Sequence, residues 1–311
     1  MKQTEKLILV IFVLTCILFG IYAGGGYLTR DKEGPVITMK EETIKASIED
    51  SDKKLLEGVV AKDKRDGDVS DSLIIESIQM KEENQCTIVC AAFDQSNNVS
   101  KASRTVVFED YTPIHFSISK PLCFPIGSTE EILQSITASD CMDGNITSKI
   151  KLTSQDEDSD YNGAGVFDYQ VEVTNSIGDT AVLPISVEFY TDSYEERLFR
   201  PNLYLKKYLI YLKKGSEFEP KAYLDSVGIG NTLYAFQENV SSEESETVSA
   251  SEENEMKVNE DGEQITGIIS YDTVKYQSNV ETDKEGTYTV EYSCTTKAGY
   301  TGATQMIVVM E

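Results

Sequence analysis

The chain has 311 residues, 40% of them hydrophobic, with 53 acidic against 28 basic side chains and a formal net charge of -25. That apolar content can furnish cores for two or three domains and excludes a disordered class for most of the chain. The acidic balance argues against binding nucleic acid or docking on anionic lipid, and leaves cationic, neutral or sugar partners.

Residues 1–6, MKQTEK, precede an uncharged apolar run from Leu7 to Ala23. As a helix this run rises about 1.5 Å per residue and spans roughly 26 Å, near the lower limit for crossing the hydrocarbon core of a bilayer. Lys2, Lys6 and the amino terminus assign residues 1–6 to the cytoplasm and everything after Gly24 to the outside. Two readings fit: an uncleaved anchor, or a signal segment cut after Ala23. Ile21, three places before that cut, suits cleavage poorly, which favours the anchor. Either way the expected location is the cell membrane, crossed once, with the bulk extracellular.

Internal similarity organises the rest. GPVITM at 34–39, TPIHFSIS at 112–119 and RPNLYLKK at 200–207 each set a proline ahead of alternating apolar residues, as the first strand of a module would. Each copy ends in an alternating strand, a turn rich in Asn, Gly and Asp, and a second alternating strand, the signature of a β-hairpin. Superposing the last two copies on Gly178 and Gly299 lays Tyr169, Val171 and Val173 over Val290, Tyr292 and Cys294, and the first copy offers Ile88, Cys90 and Ala92. The fold class that follows is all-β: three tandem Ig-like antiparallel β-sandwich modules, 34–110, 112–191 and 200–311, behind an N-terminal transmembrane helix. The third carries an insertion, 237–264, with ten acidic residues and one lysine. Lacking apolar spacing, it cannot bury enough surface to offset chain entropy and is expected to be a disordered loop.

Near the start of the first two copies stand AKDKRDGDVSD, 61–71, and ASDCMDGNITS, 138–148. Both pass from a polar turn into a strand, so Asp66-Gly67 and Asp143-Gly144 are read first as turn residues, glycine supplying the positive φ and aspartate bonding its own backbone. The second reading is a Ca²⁺ site. Asp63, Asp66 and Asp68, with Asp140, Asp143 and Asn145, are the hard oxygen ligands Ca²⁺ takes, although their spacing departs from the EF-hand loop and the third copy has AYLDSVGIGN instead.

A strand, then A-x-D-x-x-D-G-[DN]-[VI]-[ST], then a closing hairpin that ends just before the next proline resembles the bacterial Ig-like surface repeats of the cadherin-like kind. These include modules of unknown function found in tandem in adhesins and surface-layer-associated proteins of Gram-positive bacteria. The resemblance covers 34–191 and, in degenerate form, 201–311. In the first copy's hairpin turn, DQSNNVS, the glycine of the corresponding family turn is replaced. The resemblance implies a tandem β-sandwich surface protein and leaves its ligand open, because such modules serve as spacers, adhesive units and enzyme appendages alike.

Catalytic constellations are sparse. The single histidine, His115, alternates with Ile114 and Phe116 and is read as turned outward, so there is no His-based zinc cluster. No phosphate loop, nucleophile elbow or zincin signature is present. Of six cysteines, Cys16 lies in the apolar run, and Cys86 and Cys90 lie on one strand face as small hydrophobes. Cys123 and Cys141 form the remaining disulfide candidate, which an extracytoplasmic compartment permits. NLYLKKYLIYLKK, 202–214, groups four lysines with three tyrosines, either an exposed strand pair or a contact for anionic wall polymer. The expected function is non-enzymatic: a membrane-anchored extracellular spacer or adhesion array whose partners are other surface proteins, host or cell-wall polymer. Two alternatives stay open, the sensory or regulatory ectodomain of a membrane complex and a carbohydrate- or wall-binding accessory protein.

Overall fold

A computed structural model describes residues 3–29, 31–82, 84–154, 163–237 and 267–311. Beyond Gln237, the insertion expected at 237–264 lies outside the described residues. The chain divides into two compact units, Met1–Tyr111 and Thr112–Glu311.

The N-terminal helix runs Gln3–Thr29, longer than the expected span. Over 8–21 its side chains are uncharged and exposed. Among the described residues no helix is long and apolar enough to cross a membrane. The expectation of a transmembrane span over 7–23 is not met among the described residues.

The rest is β-structure in six sheets that fall into three pairs of one plan. In each pair the opening strand is split between the two sheets. Its first half is antiparallel to the second strand: Val36–Met39 on Val59–Asp63, His115–Ile118 on Ile136–Asp140, Pro201–Leu205 on Leu224–Ile229. Its second half crosses to the other sheet and runs parallel to the closing strand: Thr43–Ala46 beside Val99–Phe108, Cys123–Pro125 beside Thr180–Tyr190, Leu209–Leu212 beside Thr301–Met310. The prolines at 35, 113 and 201 lie at the start of an edge strand or one or two residues before it, where a missing N–H leaves no central ladder bond open.

The closing hairpins pair Gln85–Phe93 with Val99–Phe108, Gly165–Thr174 with Thr180–Tyr190, and Gly286–Thr295 with Thr301–Met310. The predicted inward faces are buried in all three: Ile88, Cys90 and Ala92; Tyr169, Val171 and Val173; Val290, Tyr292 and Cys294. Burial raises the pKa of the Cys90 and Cys294 thiols, as for any weak acid removed from water.

The three hairpin turns superpose hydrogen bond for hydrogen bond. The N–H of Asp94, Asn175 or Thr296 donates to the carbonyl of Asn98, Asp179 or Tyr300, and the N–H of Asn97, Gly178 or Gly299 donates back. That returning residue is left-handed each time, with φ of 61°, 83° and 89°. Asparagine substitutes for glycine in the first copy because it tolerates this conformation better than other L-residues. Asn97→Gly is expected to change stability by less than about 0.5 kcal/mol, and Asn97→Val to lower it by about 1–2 kcal/mol, as measured by urea unfolding.

Seven positions past each left-handed residue the closing strand points inward, at Arg104, Ile185 and Met306, all buried. In the first unit a guanidinium thus occupies a core position. Its Nη1 donates to the Leu55 and Glu57 carbonyls at 2.9 and 3.0 Å and its Nη2 to the Glu41 carbonyl at 2.9 Å, joining the loop at 55–57 to the crossover of the split strand.

Within Thr112–Glu311 the two sheet pairs share one apolar cluster that extends from Ile114 to Met310. The segment between them folds as a short helix, Tyr194–Phe199, whose N-cap Ser193 accepts the Glu196 N–H. After it, buried Arg200 donates to Glu188 Oε1 at 2.7 Å and Cys123 Sγ at 3.2 Å and lies 4.4 Å from the Tyr190 ring centre. Farther along, the Phe116 N–H donates to the Tyr211 hydroxyl at 2.8 Å. His115 is not simply turned to water: it meets the Tyr211 ring edge-on at 4.2 Å and Glu311 Oε1 at 3.2 Å, because the opening strand of the second pair lies against the third. Burial pushes the Tyr211 hydroxyl up to about 12.

Cys123 and Cys141 are both free thiols. Cys123 stands on a strand beside Glu188, while Cys141 lies in the turn after Asp140 with its Sγ donating to the Thr112 carbonyl at 3.1 Å, so the expected disulfide is not formed. In 202–214 Tyr208 is buried and accepts the Leu205 N–H at 3.1 Å, Tyr204 alternates outward from buried Leu203 and Leu205, and the four lysines turn outward.

Candidate functional site

The two aspartate-glycine motifs sit at matching corners, each following the strand that pairs with the opening strand. At the first corner, Asp63 is buried and its Oδ1 accepts the N–H groups of Arg65 and Asp66 at 2.6 and 2.9 Å. Asp66 Oδ2 reaches the closing hairpin and accepts the Gln95 N–H at 2.9 Å. Gly67 turns the chain at φ 78°, and Asp68 Oδ1 accepts from Ser70 N and Oγ at 2.9 and 2.6 Å.

At the second corner, Asp140 Oδ1 accepts the Asp143 N–H at 2.8 Å, and Asp143 Oδ2 accepts the Ser176 N–H at 2.8 Å and Lys149 Nζ at 2.7 Å. Gly144 has φ 68°, and Asn145 Oδ1 accepts the Thr147 N–H at 3.0 Å. The motif is thus a fastener: the first aspartate shapes the turn and the second ties it to the closing hairpin. These contacts hold the carboxyls below the usual range: Asp63 through the N–H groups of Asp66 and Arg65, Asp68 through Ser70, and Asp143 through Lys149 and then Ser176.

The acids brought together are Asp31, Asp63 and Asp94, each offering an oxygen within 4.8 Å of the others. Asp94 heads the hairpin turn where the second corner has Asn175. There the amide donates to Asp140 Oδ2 at 2.6 Å, a neutral group against a carboxylate. In the first corner a carboxylate takes the amide's place, and Asn98 N and Nδ2 satisfy part of it at 2.7 and 2.6 Å. The Arg65 guanidinium lies 3.5 Å from Asp31. Three hard oxygens in that space fit part of a Ca²⁺ shell, which takes about six to eight. Sequence reasoning missed Asp31 and Asp94; the superposition that set Asp94 over Asn175 was the available signal for the latter, while Asp31 carried none.

A second feature lies on the outer faces of the Thr112–Glu311 unit. Phe124, Pro125, Tyr190, Asn202, Tyr204 and Ala303 line a cleft of about 300 Å³ together with Lys120 and Glu131. An adjoining depression of about 240 Å³, lined by Val166, Ser186, Glu188, Glu291 and Gln305 among others, shares Cys123 and Ala303 with it. Gly302 lets the closing strand of the third pair of sheets approach that pair's own opening strand closely, because a side chain there would collide with the Pro201 carbonyl.

No protein-family profile and no curated protein matches the chain. Among solved structures it is similar to the CBM51-2 and INT domains of Clostridium perfringens ZmpB, the former in complex with GlcNAc, at 15% identity over 49% of this chain and 41% of that one, TM-score 0.20. It is similar to domains 4–9 of the surface layer protein SbsC at 10% identity over 81% and 42%, TM-score 0.19. Mouse cadherin-23 EC22-24 matches at 10% identity over 90% and 99%, TM-score 0.18. The chain spans under half the length of the first two.

Proposed function

We propose that this chain is a non-enzymatic, extracytoplasmic interaction protein of three β-sandwich modules, 34–110, 112–191 and 200–311, held at the membrane by its N-terminal helix. One observation carries the reading. A single strand plan recurs with its inward faces filled by the chain's own side chains, while the hairpin turns differ between copies, as at Asp94, Asn175 and Thr296. A scaffold that repeats while its turns vary suits display and contact. Anchoring is supported by the described helix side chains at 8–21, apolar and exposed on every side, a pattern that water does not favour.

The test is made on intact cells. Added protease should remove the β-modules, and the remaining N-terminal segment should stay in the membrane fraction through carbonate washing and leave it only with detergent. A protein protected from protease, or released by carbonate, overturns the reading. Exchanging 7–23 for an unrelated apolar anchor should preserve surface contact in an adhesion or spacer protein; loss of activity would favour the regulatory ectodomain.

Calcium belongs to the same proposal at the first corner. Asp94→Asn copies the arrangement that the second corner already uses with Asn175, so it should fold. Millimolar Ca²⁺ should raise the melting temperature of the wild-type chain and leave that of Asp94→Asn unmoved, since a ligand bound to the native state at about ten times its Kd adds roughly 1.4 kcal/mol. Equal shifts in both, or none, would leave the corner as a turn alone.

A further inference from the structure

We infer that the cleft between the outer faces of the second and third sandwiches binds a neutral oligosaccharide; this rests on the surface-interaction reading and gives it a ligand class. The cleft is built from outward residues of two sheets. Tyr190 stands on the closing strand of the second sandwich beside Pro125 of the parallel half-strand, and Glu188 two residues before it faces the adjoining depression. Asn202 and Tyr204 alternate outward from buried Leu203 and Leu205 on the opening strand of the third.

The charges of the larger cleft cancel, whereas the adjoining depression adds the carboxylate of Glu291. In a chain of net charge -25, Lys120 pairs with Glu131 at 3.1 Å and Arg200 with Glu188 at 2.7 Å. An anionic or cationic polymer finds no uncompensated set of opposite charges in the larger cleft, whereas an uncharged polyol finds the ion-paired Glu131 carboxylate, its Lys120 ammonium partner and the Asn202 amide, all able to exchange hydrogen bonds with hydroxyls.

The ring faces of Tyr190 and Tyr204 come one from each sandwich. Arg200 covers one face of Tyr190, which fixes that ring, and Gly228 leaves the space that Tyr204 leans over. Rigid amphipathic rings flanked by planar polar groups suit a sugar's apolar C–H face and equatorial hydroxyls. The cleft, about 300 Å³, is at the small end of ligand sites and holds one or two sugar units. The depression that shares Cys123 and Ala303 continues it past Ser186 and Gln305, so a chain can run through rather than end there.

The test uses the full chain in detergent micelles, titrated calorimetrically with cellotetraose and, separately, chitotetraose. At least one should bind with a Kd on the order of 1 mM or tighter, equivalent to about -4 kcal/mol. Tyr204→Ala and Asn202→Ala should each weaken binding about tenfold, Tyr204→Phe should retain it, and Tyr276→Ala, on a strand outside the cleft, should leave it unchanged. Asn202 is exposed, so its variant folds whether or not Tyr204→Ala does. Binding that Asn202→Ala and Tyr204→Ala both leave intact overturns the site, as does the absence of heat with both sugars at about ten times that concentration. Failure here with protease-accessible modules on cells would sink the cleft alone; protected modules would sink the reading beneath it.

Discussion

Arg104→Met is expected to destabilise the first unit by about 3 kcal/mol, although methionine is the residue the third sandwich carries at the same place. Burying a cation is unfavourable, and replacing buried ionic groups by apolar ones of similar volume is often neutral or stabilising. Arg104 differs in what it leaves behind. Its partners are three backbone carbonyls, of Glu41, Leu55 and Glu57, which cannot be substituted away. Each would remain in place without its donor, at about 1 kcal/mol or more apiece, which outweighs the relief from removing the charge. For a domain of this size the loss corresponds to a fall in melting temperature of roughly 12–24 °C. Hydrogen exchange reads it locally: protection should collapse over 85–108 and stay unchanged over 165–190 and 286–310. An unchanged or higher melting point would mean that the loop and crossover carbonyls find other donors.

Arg200→Ala should uncouple the second and third sandwiches. Arg200 is buried while Glu188 is about a third exposed, so the pair is partly screened on one side and desolvated on the other. Removing the guanidinium also strips Tyr190 of its stacked cation and Cys123 of a donor. Breaking a buried pair from one side typically loses about 3–5 kcal/mol, and the exposure of Glu188 puts the expectation at the lower end, about 3 kcal/mol. Urea unfolding of the Thr112–Glu311 unit, one transition in the wild type, should become two. The cycle with Glu188→Ala should return a coupling of at least 1 kcal/mol, as contacting residues do. A single transition with full additivity would place the cohesion of the unit in its shared apolar cluster instead.

The hairpins were legible because two signals agreed there: side chains alternating with period two, and a turn demanding a left-handed residue. Asn97 could stand for glycine in that alignment without loss. Arg104 was not legible, although the same alignment set it over Ile185 and Met306, because an arginine is read as a surface residue until the carbonyls that receive it are known. The split of the opening strand escaped for another reason. Which sheet a four-residue edge segment joins is decided by backbone hydrogen bonds, and Thr43–Ala46 or Cys123–Pro125 carries no side-chain period that favours one partner. His115 was read correctly as pointing away from its own core, and what it meets 96 residues on, Tyr211, is tertiary information. The aspartate corners were half legible: the turn chemistry is local, but the convergence of Asp31, Asp63 and Asp94 depends on three segments meeting.

The crossing of the opening strand has a consequence for tension. In each sandwich the half-strand after the crossover lies parallel to the closing strand, so pulling the two ends of a sandwich apart slides neighbouring strands along one another. The bonds between them are loaded side by side and must give way together, rather than opening one after another as they would in a peeled hairpin. Four residue pairs share that load in the first and third sandwiches and three in the second, where Pro125 occupies one of the three places. Under a common pull the second sandwich has the shortest seam, and its seam is the one that Arg200, through Cys123 and Glu188, ties to the segment leading into the third.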